Sequence, residues 1–299
     1  MSTILSEANL PLPLFCRGKV RDTYNLDGRL LIISTDRLSA FDVVLPDPIP
    51  DKGLVLNQLS RFWFEKTSQV MPNHLVASVD TTDSLKRYFP DKTTPPDYLV
   101  GRSMITLKAE RVPVECVVRG YLSGSAWSEY KDAGTISGMS GPKGLQEGQE
   151  LPEPLFTPTT KAEAGHDEPL SKKELENLVG KTTASDLGEK SLAIYQFARD
   201  YARGRGVIIA DTKFEFGFAD GKLILIDELL TPDSSRFWDA SQYTVGRSHP
   251  SFDKQPVRDW LVSSGWNKEP PAPKLPPEVI EATTKRYREA YQRLTGKAL

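Results

Sequence analysis

The chain has 299 residues, 38% of them hydrophobic and 26% charged, and a formal net charge of -2. That length suffices to bury on the order of three quarters of the unfolded surface, in one large domain or two lobes. Near-balanced charge without a long basic stripe argues against a nucleic-acid binder, and the hydrophobic content argues against a disordered chain. The two cysteines, Cys16 and Cys116, have neither CxxC nor metal-site spacing and read as reduced thiols. The opening "MSTILSEANLPLPLF" has no basic stretch followed by an apolar block. No apolar run approaches the roughly 20 residues of a membrane span. A soluble cytoplasmic protein, monomeric or weakly self-associating, is expected.

In chain order, "KVRDTYNLDGRLLIIS" predicts two strands about an "NLDG" turn. "NQLSRFWFEKTSQV" has Leu56, Leu59 and Phe62 or Trp63 at helical spacing and predicts a helix. "YLVGRSMITLKAERVPVECVVRGYL" predicts two further strands joined near Glu110 to Pro113. Residues 131–160 are rich in Gly, Pro and Ser and read as a surface excursion with at most a short hairpin. Ser171 and Glu174 form a capping-box pattern before a short helix. A longer helix follows from about Ala184 to Ala202, with Leu187, Ile194, Phe197, Ala198 and Tyr201 as its buried stripe. The last predicted helix runs from Pro277 to Leu294. The division expected is a smaller β-rich lobe over 1–118 and a larger α/β lobe over 119–299.

Between the last two helices lies "ADTKFEFGFADGKLILIDE", which reads as a hairpin. Alternation puts Phe214, Phe216 and Phe218 on one face and Asp211, Lys213 and Glu215 on the other. A three-residue loop, Ala219 to Gly221 with positive φ at Gly221, would set Asp227 opposite Lys213 and on the Glu215 face. A two-residue Asp-Gly turn would send Asp227 to the phenylalanine side. The charges then either pair among themselves or converge on a cation.

Other polar clusters are ambiguous one at a time. "RGKVRDTY" offers Gly18, Lys19 and Arg21 to a phosphate, or guards a strand edge. "STDRLSAFD", with Ser39 and Asp42, follows a strand end, where binding loops sit. "VVRGYLSGSAW" places Arg119 at a strand end before a loop carrying Ser123 and Ser125. "EAGHDEPLS" gathers Glu163, His166, Asp167 and Glu168 without a second histidine at zinc spacing. Arg236 follows the acidic pair Asp227 and Glu228 and suits a phosphate or carboxylate clamp. Acidic residues suited to Mg²⁺ and basic loops suited to phosphate thus occur in one non-basic chain.

The segments "GKVRDTY", "STDRLSAFDVVLPDPIPDKG", "VPVECVVRGYLSGSAW", "DTKFEFG" and "IDELLTPDSSRFWD" closely resemble the SAICAR synthetase family, in order along residues 15 to 260. The resemblance implies an α+β, two-lobed fold akin to ATP-grasp and kinase-like proteins, with ATP in the cleft between lobes. It implies an ATP-dependent ligase acting on carboxyaminoimidazole ribonucleotide and L-aspartate, with Mg²⁺. By motif, Gly18, Lys19 and Arg21 would cover the ATP phosphates, and Lys108 to Arg111 would lie against adenine. Glu215 and Asp227 would hold Mg²⁺, with Lys213 and Asp211 as catalytic candidates. Arg119, Ser125, Arg236, Asp167, Ser39 and Asp42 would bind the substrate. The rivals are a small-molecule kinase with a general base such as Asp167, and a non-catalytic nucleotide-binding module.

Overall fold

The computed structural model describes residues 3–91, 93–161 and 167–299. Short hairpins build the first sheet. Strand β1 (Leu14–Arg17) turns through Gly18 into β2 (Arg21–Leu26), which pairs with β3 (Arg29–Ser34). Asp27 and Gly28 close that second hairpin at positive φ, 33° and 80°, matching the right-handed twist of the strands. A small ribbon, β4 (Ser39–Ala40) and β5 (Val43–Val44), is closed by Phe41 and Asp42, again both at positive φ. Helix α1 (Lys52–Thr67) then buries Val55, Leu56, Leu59 and Trp63. Strands β6 (Leu75–Ser78) and β7 (Ser103–Leu107) complete a five-stranded antiparallel sheet in the order β1-β2-β3-β7-β6.

Lys108 and Ala109 carry the chain into the second sheet, entered through β8 (Glu110–Arg111) and β9 (Val114–Tyr121). The expected lobe boundary at 118/119 therefore falls inside β9. Every pairing of β9 belongs to the second sheet. Next come α2 (Gly124–Ala133), the hairpin β10 (Thr135–Ile136) and β11 (Met139–Ser140), then β12 (Glu150–Phe156) and β13 (Thr159–Thr160). Residues 131–160 are thus more than an excursion, because β12 and β13 pair with β9. Proline and glycine hid this edge, where missing donors are tolerated.

Helices α3 (Lys172–Val179) and α4 (Lys181–Arg203) follow, α3 with the expected Ser171/Glu174 capping box. Phe197 of α4 is 38% exposed, and Tyr195 takes the expected buried place. Strand β14 (Val207–Ala219) is the spine of the seven-stranded antiparallel sheet, flanked by β9 and β8 on one edge and β15 (Lys222–Ile226) and β16 (Ser235–Asp239) on the other. Helices α5 (Gln255–Ser263) and α6 (Pro277–Thr295) close the chain. One core runs from Ile32 of β3 through α1 to Phe214 and Phe216 of β14 and Tyr287 of α6, so α1 ties the two sheets together. Among the described residues no helix is long and apolar enough to cross a membrane.

The hairpin of β14 and β15 has a tight two-residue turn, not the three-residue loop expected. Ala219 pairs with Lys222 and Glu215 with Ile226. Asp220 and Gly221 both sit at positive φ, 49° and 73°. An Asp-Gly pair populates that conformation readily, and the resulting turn follows the strand twist without a bulge. Lys213 does not face Asp227.

Candidate active site

One face of strand β14 carries the row Asp211, Lys213, Glu215. At the Asp211 end, register aligns three strands. Asp211 lies opposite Arg119 of β9 and opposite Arg236 of β16, so all three side chains share a face. Arg236 Nη1 donates to Asp211 Oδ2, and Arg119 Nη1 lies 3.4 Å from the same oxygen. Arg119 also donates to Thr157 Oγ1 at 3.1 Å and to Ser125 Oγ at 3.4 Å. Ser125 was expected in a loop, but it stands in the first turn of α2, which begins at Gly124. Gly124 has φ +57°, and a Cβ there would meet Arg236 Nη2 at 2.4 Å. The glycine lets the guanidinium lie along the main chain. A cavity of about 170 Å³ opens here, lined by Arg119, Ser125, Asp211, Lys213, Arg236 and Arg258. Burial lowers the Arg119 pKa despite Asp211, since a second guanidinium, Arg236, also opposes its charge.

The Glu215 end has the opposite character. Lys213 Nζ lies 3.1 Å from Glu115 Oε1, and Lys161 Nζ lies 3.1 Å from that oxygen while also pairing with Glu215. Neither Glu115 nor Lys161 emerged from the sequence. Strand alternation puts Glu115 on the same face as Arg119, four residues earlier on β9. Lys161, just after β13, has no such pattern to reveal it.

Asp227 reaches this end by a different route from the one expected. With Ile226 opposite Glu215, a continued strand would set Asp227 opposite Phe214, on the apolar side. The strand stops instead. Asp227 adopts φ 70°, and its carboxylate accepts from Arg21 Nη2 at 2.7 Å. The two carboxylates feel one another. Burial and the Asp227 charge push Glu215 up to about 7, although Lys161 and Lys213 both pull it down. Burial would raise Asp227 as well, but Arg21 and Lys161 hold it well below the usual carboxylate range. Burial opposes the Arg21 and Lys213 charges, yet their acidic neighbours keep both above their ordinary values.

The remaining candidates spread around this face. Gly18 N–H donates to Arg21 O at 2.8 Å, closing the β1–β2 turn, whose exposed Lys19 meets Asp42 at 2.6 Å. Arg21 points across to the second sheet, onto Asp227. Ser39 is half-buried on β4. Lys108 stands at the sheet crossing with its Nζ 5.2 Å from the Phe15 ring centroid, and Arg111 pairs through β8 with Gly217. Asp167 is exposed next to Glu168, whose backbone joins Thr160. Glu163 and His166 lie outside the described residues.

The SAICAR synthetase family model matches residues 14–273. A phosphoribosylaminoimidazole-succinocarboxamide synthase of Desulfosudis oleivorans is 53% identical over 299 residues, covering 99% of this chain and 100% of that protein. The chain belongs to the SAICAR synthetase family. The synthase of Thermodesulfovibrio yellowstonii is 51% identical over 99% of this chain and 100% of its own length. A solved structure of Saccharomyces cerevisiae SAICAR synthase complexed with SAICAR superposes with a TM-score of 0.89 at 43% identity, covering 99% of both chains. The α+β arrangement of antiparallel sheets and helices is therefore that of the family. Membership makes the chain an ATP-dependent ligase of aspartate in purine biosynthesis, and the kinase and non-catalytic readings are set aside.

Proposed function

We propose that the cleft face of β14 is the axis of the reaction, with ATP entering between the two sheets at the Glu215 end and carboxyaminoimidazole ribonucleotide lying at the Asp211 end. The observation that carries this reading is the charge order along one strand: arginines around Asp211, carboxylates around Glu215, and Lys213 between them. Arg119, Ser125 and Arg236 suit the anionic ribonucleotide; Asp167, Ser39 and Asp42 stay candidates for its other contacts, though Asp42 pairs with Lys19 and Glu168, beside Asp167, joins Thr160 at the Glu215 end. Gly18, Lys19 and Arg21 suit the ATP phosphates, and Lys108 to Arg111 the adenine. The two sheets with a cleft between them are also the basis for likening the fold to ATP-grasp and kinase-like proteins.

Glu215 and Asp227 are the candidates to hold Mg²⁺. Among the described residues no three His, Cys, Asp or Glu side chains form a metal-binding group. Magnesium does not require three, since one or two carboxylates and substrate phosphates commonly hold it. The donor set fits. Burial and the Asp227 charge leave the Glu215 carboxyl raised despite two lysines, and a divalent cation beside it would offset both. A bound Mg²⁺ would supply charge neutralisation on the transferring phosphoryl group.

The chain's own groups account for the rest. The substrate carboxylate is a poor acyl donor until its oxygen becomes a leaving group. Its oxygen attacks the γ-phosphorus and ADP departs, leaving an acyl phosphate. The aspartate amine then attacks the carbonyl carbon, loses a proton and expels phosphate. Neither step needs a protein nucleophile. Each needs positioning and fixed positive charge, which Lys213 and the arginines provide. Asp211 holds Arg119 and Arg236 side by side against their mutual repulsion. The enzyme would act in the cytoplasm, as a monomer or weak homo-oligomer. The test is ADP release with carboxyaminoimidazole ribonucleotide, with and without L-aspartate. Release that depends on aspartate alone, or proceeds without the ribonucleotide, sinks the reading.

A further inference from the structure

The wall of the cavity at the Asp211 end is not uniformly basic. Its arginines, Arg119, Arg236 and Arg258, are matched one for one by Asp211, Asp233 and Asp253, while Lys213 turns to Glu115. Asp211 joins Arg119 and Arg236, and Asp253 accepts from Arg258 Nη1 at 2.9 Å. Among the described residues Asp233 pairs with none of these arginines. A bare carboxylate on this wall would repel an anionic ligand.

The partner of Asp233 comes from behind the wall. Lys52, the first residue of α1, is 0% exposed, and its Nζ lies 2.8 Å from Asp233 Oδ2. Nζ has no hydrogen-bond partner in the protein, so charge is what draws the two together. Tyr287 of α6 donates to the other oxygen, Oδ1, at 2.5 Å. The loop that carries Asp233 is tied to β14, since Lys213 N–H donates to Ser234 O at 3.0 Å. The base of the lysine is fixed as well. Gly53 N–H donates to Asp36 Oδ1 at 2.9 Å, and a Cβ on Gly53 would meet Ser34 O at 2.3 Å, so α1 starts in close contact with the end of β3. A buried ion pair is often no more stable than apolar residues of similar volume, so stability alone is a weak reason for this one.

We propose that Lys52 is a positioning residue for the ribonucleotide end: it seats Asp233 in the cavity wall and cancels its charge, which leaves the wall net positive toward an anionic substrate. This rests on the reading of the Asp211 end as the ribonucleotide's place. Lys52 and Tyr287 together occupy both Asp233 oxygens, so the carboxylate is held away from the arginines. Among the described residues Lys52 is the one cation paired with Asp233.

The test uses the full chain with Lys52→Met, which keeps most of the stem and removes the charge, with Asp233→Asn, and with the two combined. Steady-state ADP release gives kcat and the KM of each substrate, beside the melting temperature. Lys52→Met should raise the ribonucleotide KM about tenfold, through one uncancelled charge on the cavity wall, and leave the ATP KM within about twofold. Adding Asp233→Asn to it should bring the ribonucleotide KM back to within about threefold of wild type, because the charge that Lys52 cancels is gone. A merely structural pair would move the melting temperature and leave the two KM values in their wild-type ratio. A wild-type ribonucleotide KM in Lys52→Met, or a double variant no better than the single one, overturns the proposal. Asp233→Asn alone leaves the lysine unopposed and should lower the ribonucleotide KM by about threefold. If Lys52→Met does not fold, that variant decides, and an unchanged or higher ribonucleotide KM overturns the proposal. Arg119→Ala separates the two readings: a wild-type ribonucleotide KM there removes the substrate from this end, whatever Lys52 does.

Discussion

The two ends of β14's cleft face make the instructive contrast. At Asp211, side chains meet because strand register places them opposite one another, so two pairings of one residue, with Arg119 and with Arg236, decide the arrangement. At Glu215, register fails to bring in the partner, and a broken strand succeeds. The first end keeps strand pairing on both sides of Asp211, with one irregularity against β16 between Ile209 and Asp211. The second depends on a single φ at Asp227 and a cross-sheet arginine. An anion site can be built by pairing strands. Bringing two like-charged carboxylates together requires leaving the ladder and supplying cations.

The largest effect expected is at the carboxylate end. Glu215→Gln and Asp227→Asn should each lower turnover about 10²-fold or more, with melting temperatures near wild type. Steady-state ADP release at saturating Mg·ATP measures this, and near-normal rates in both would remove the metal from this end. The opposite end should respond in KM. Arg119→Ala and Arg236→Ala should each raise the ribonucleotide KM roughly ten- to hundred-fold, the loss of a charge-assisted contact, with the ATP KM little changed. A rise confined to the ATP KM would reverse the two ends.

Gly124→Ala sharpens the contrast further. Its added Cβ would collide with Arg236 at a left-handed position, so a smaller rise in ribonucleotide KM is expected, with a stability loss of about 1–2 kcal/mol. Unchanged KM would show that Arg236 does not need its present seat. The smallest effect is at the turn. Gly221→Ala also meets a positive φ, but nothing lies within 4 Å, so stability should fall by about 1 kcal/mol with kcat unchanged. A large loss of turnover there would mean that the turn, rather than Asp227, governs the carboxylate end.

What the sequence revealed follows the same division. Arg119, Asp211 and Arg236 were each identifiable, and antiparallel pairing brings Arg119 to Asp211, while an irregularity in the pairing with β16 between Ile209 and Asp211 brings Arg236 there. Phe214 and Phe216 went to the core as their periodicity required. The misreading came at the turn, because Ala219-Asp220-Gly221 supports either loop length, and convergence of Glu215 with Asp227 appeared to demand the longer one. The chain chose the shorter turn and corrected the direction two residues after the last buried leucine. No periodic pattern encodes a single left-handed residue. Glu115 was within reach of strand alternation, four residues before Arg119 on the same strand. Lys161 was not, because its neighbours in space come from β9 and β14, far away in sequence. Helix α2 was hidden by "LSGSAW", whose glycine and serines suit a loop until Gly124 is seen to make room for Arg236.

Strand β14 is held along both edges, by β9 and β8 on one and by β16 and β15 on the other. With a rise of about 3.4 Å per residue, the four steps from Asp211 to Glu215 span about 14 Å. On the assignment proposed above, this stretch would work as a yardstick: the span between a substrate anchor at Asp211 and a phosphate anchor at Glu215 would be set by covalent chain, not by a hinge. Compounds whose carboxylate sits one bond too near or too far would bind at one end and miss the other. Any closing motion must come from outside the yardstick, and the β1–β2 turn is tied as well, since Arg37 and Thr35 donate to the carbonyls of Gly18, Lys19 and Val20.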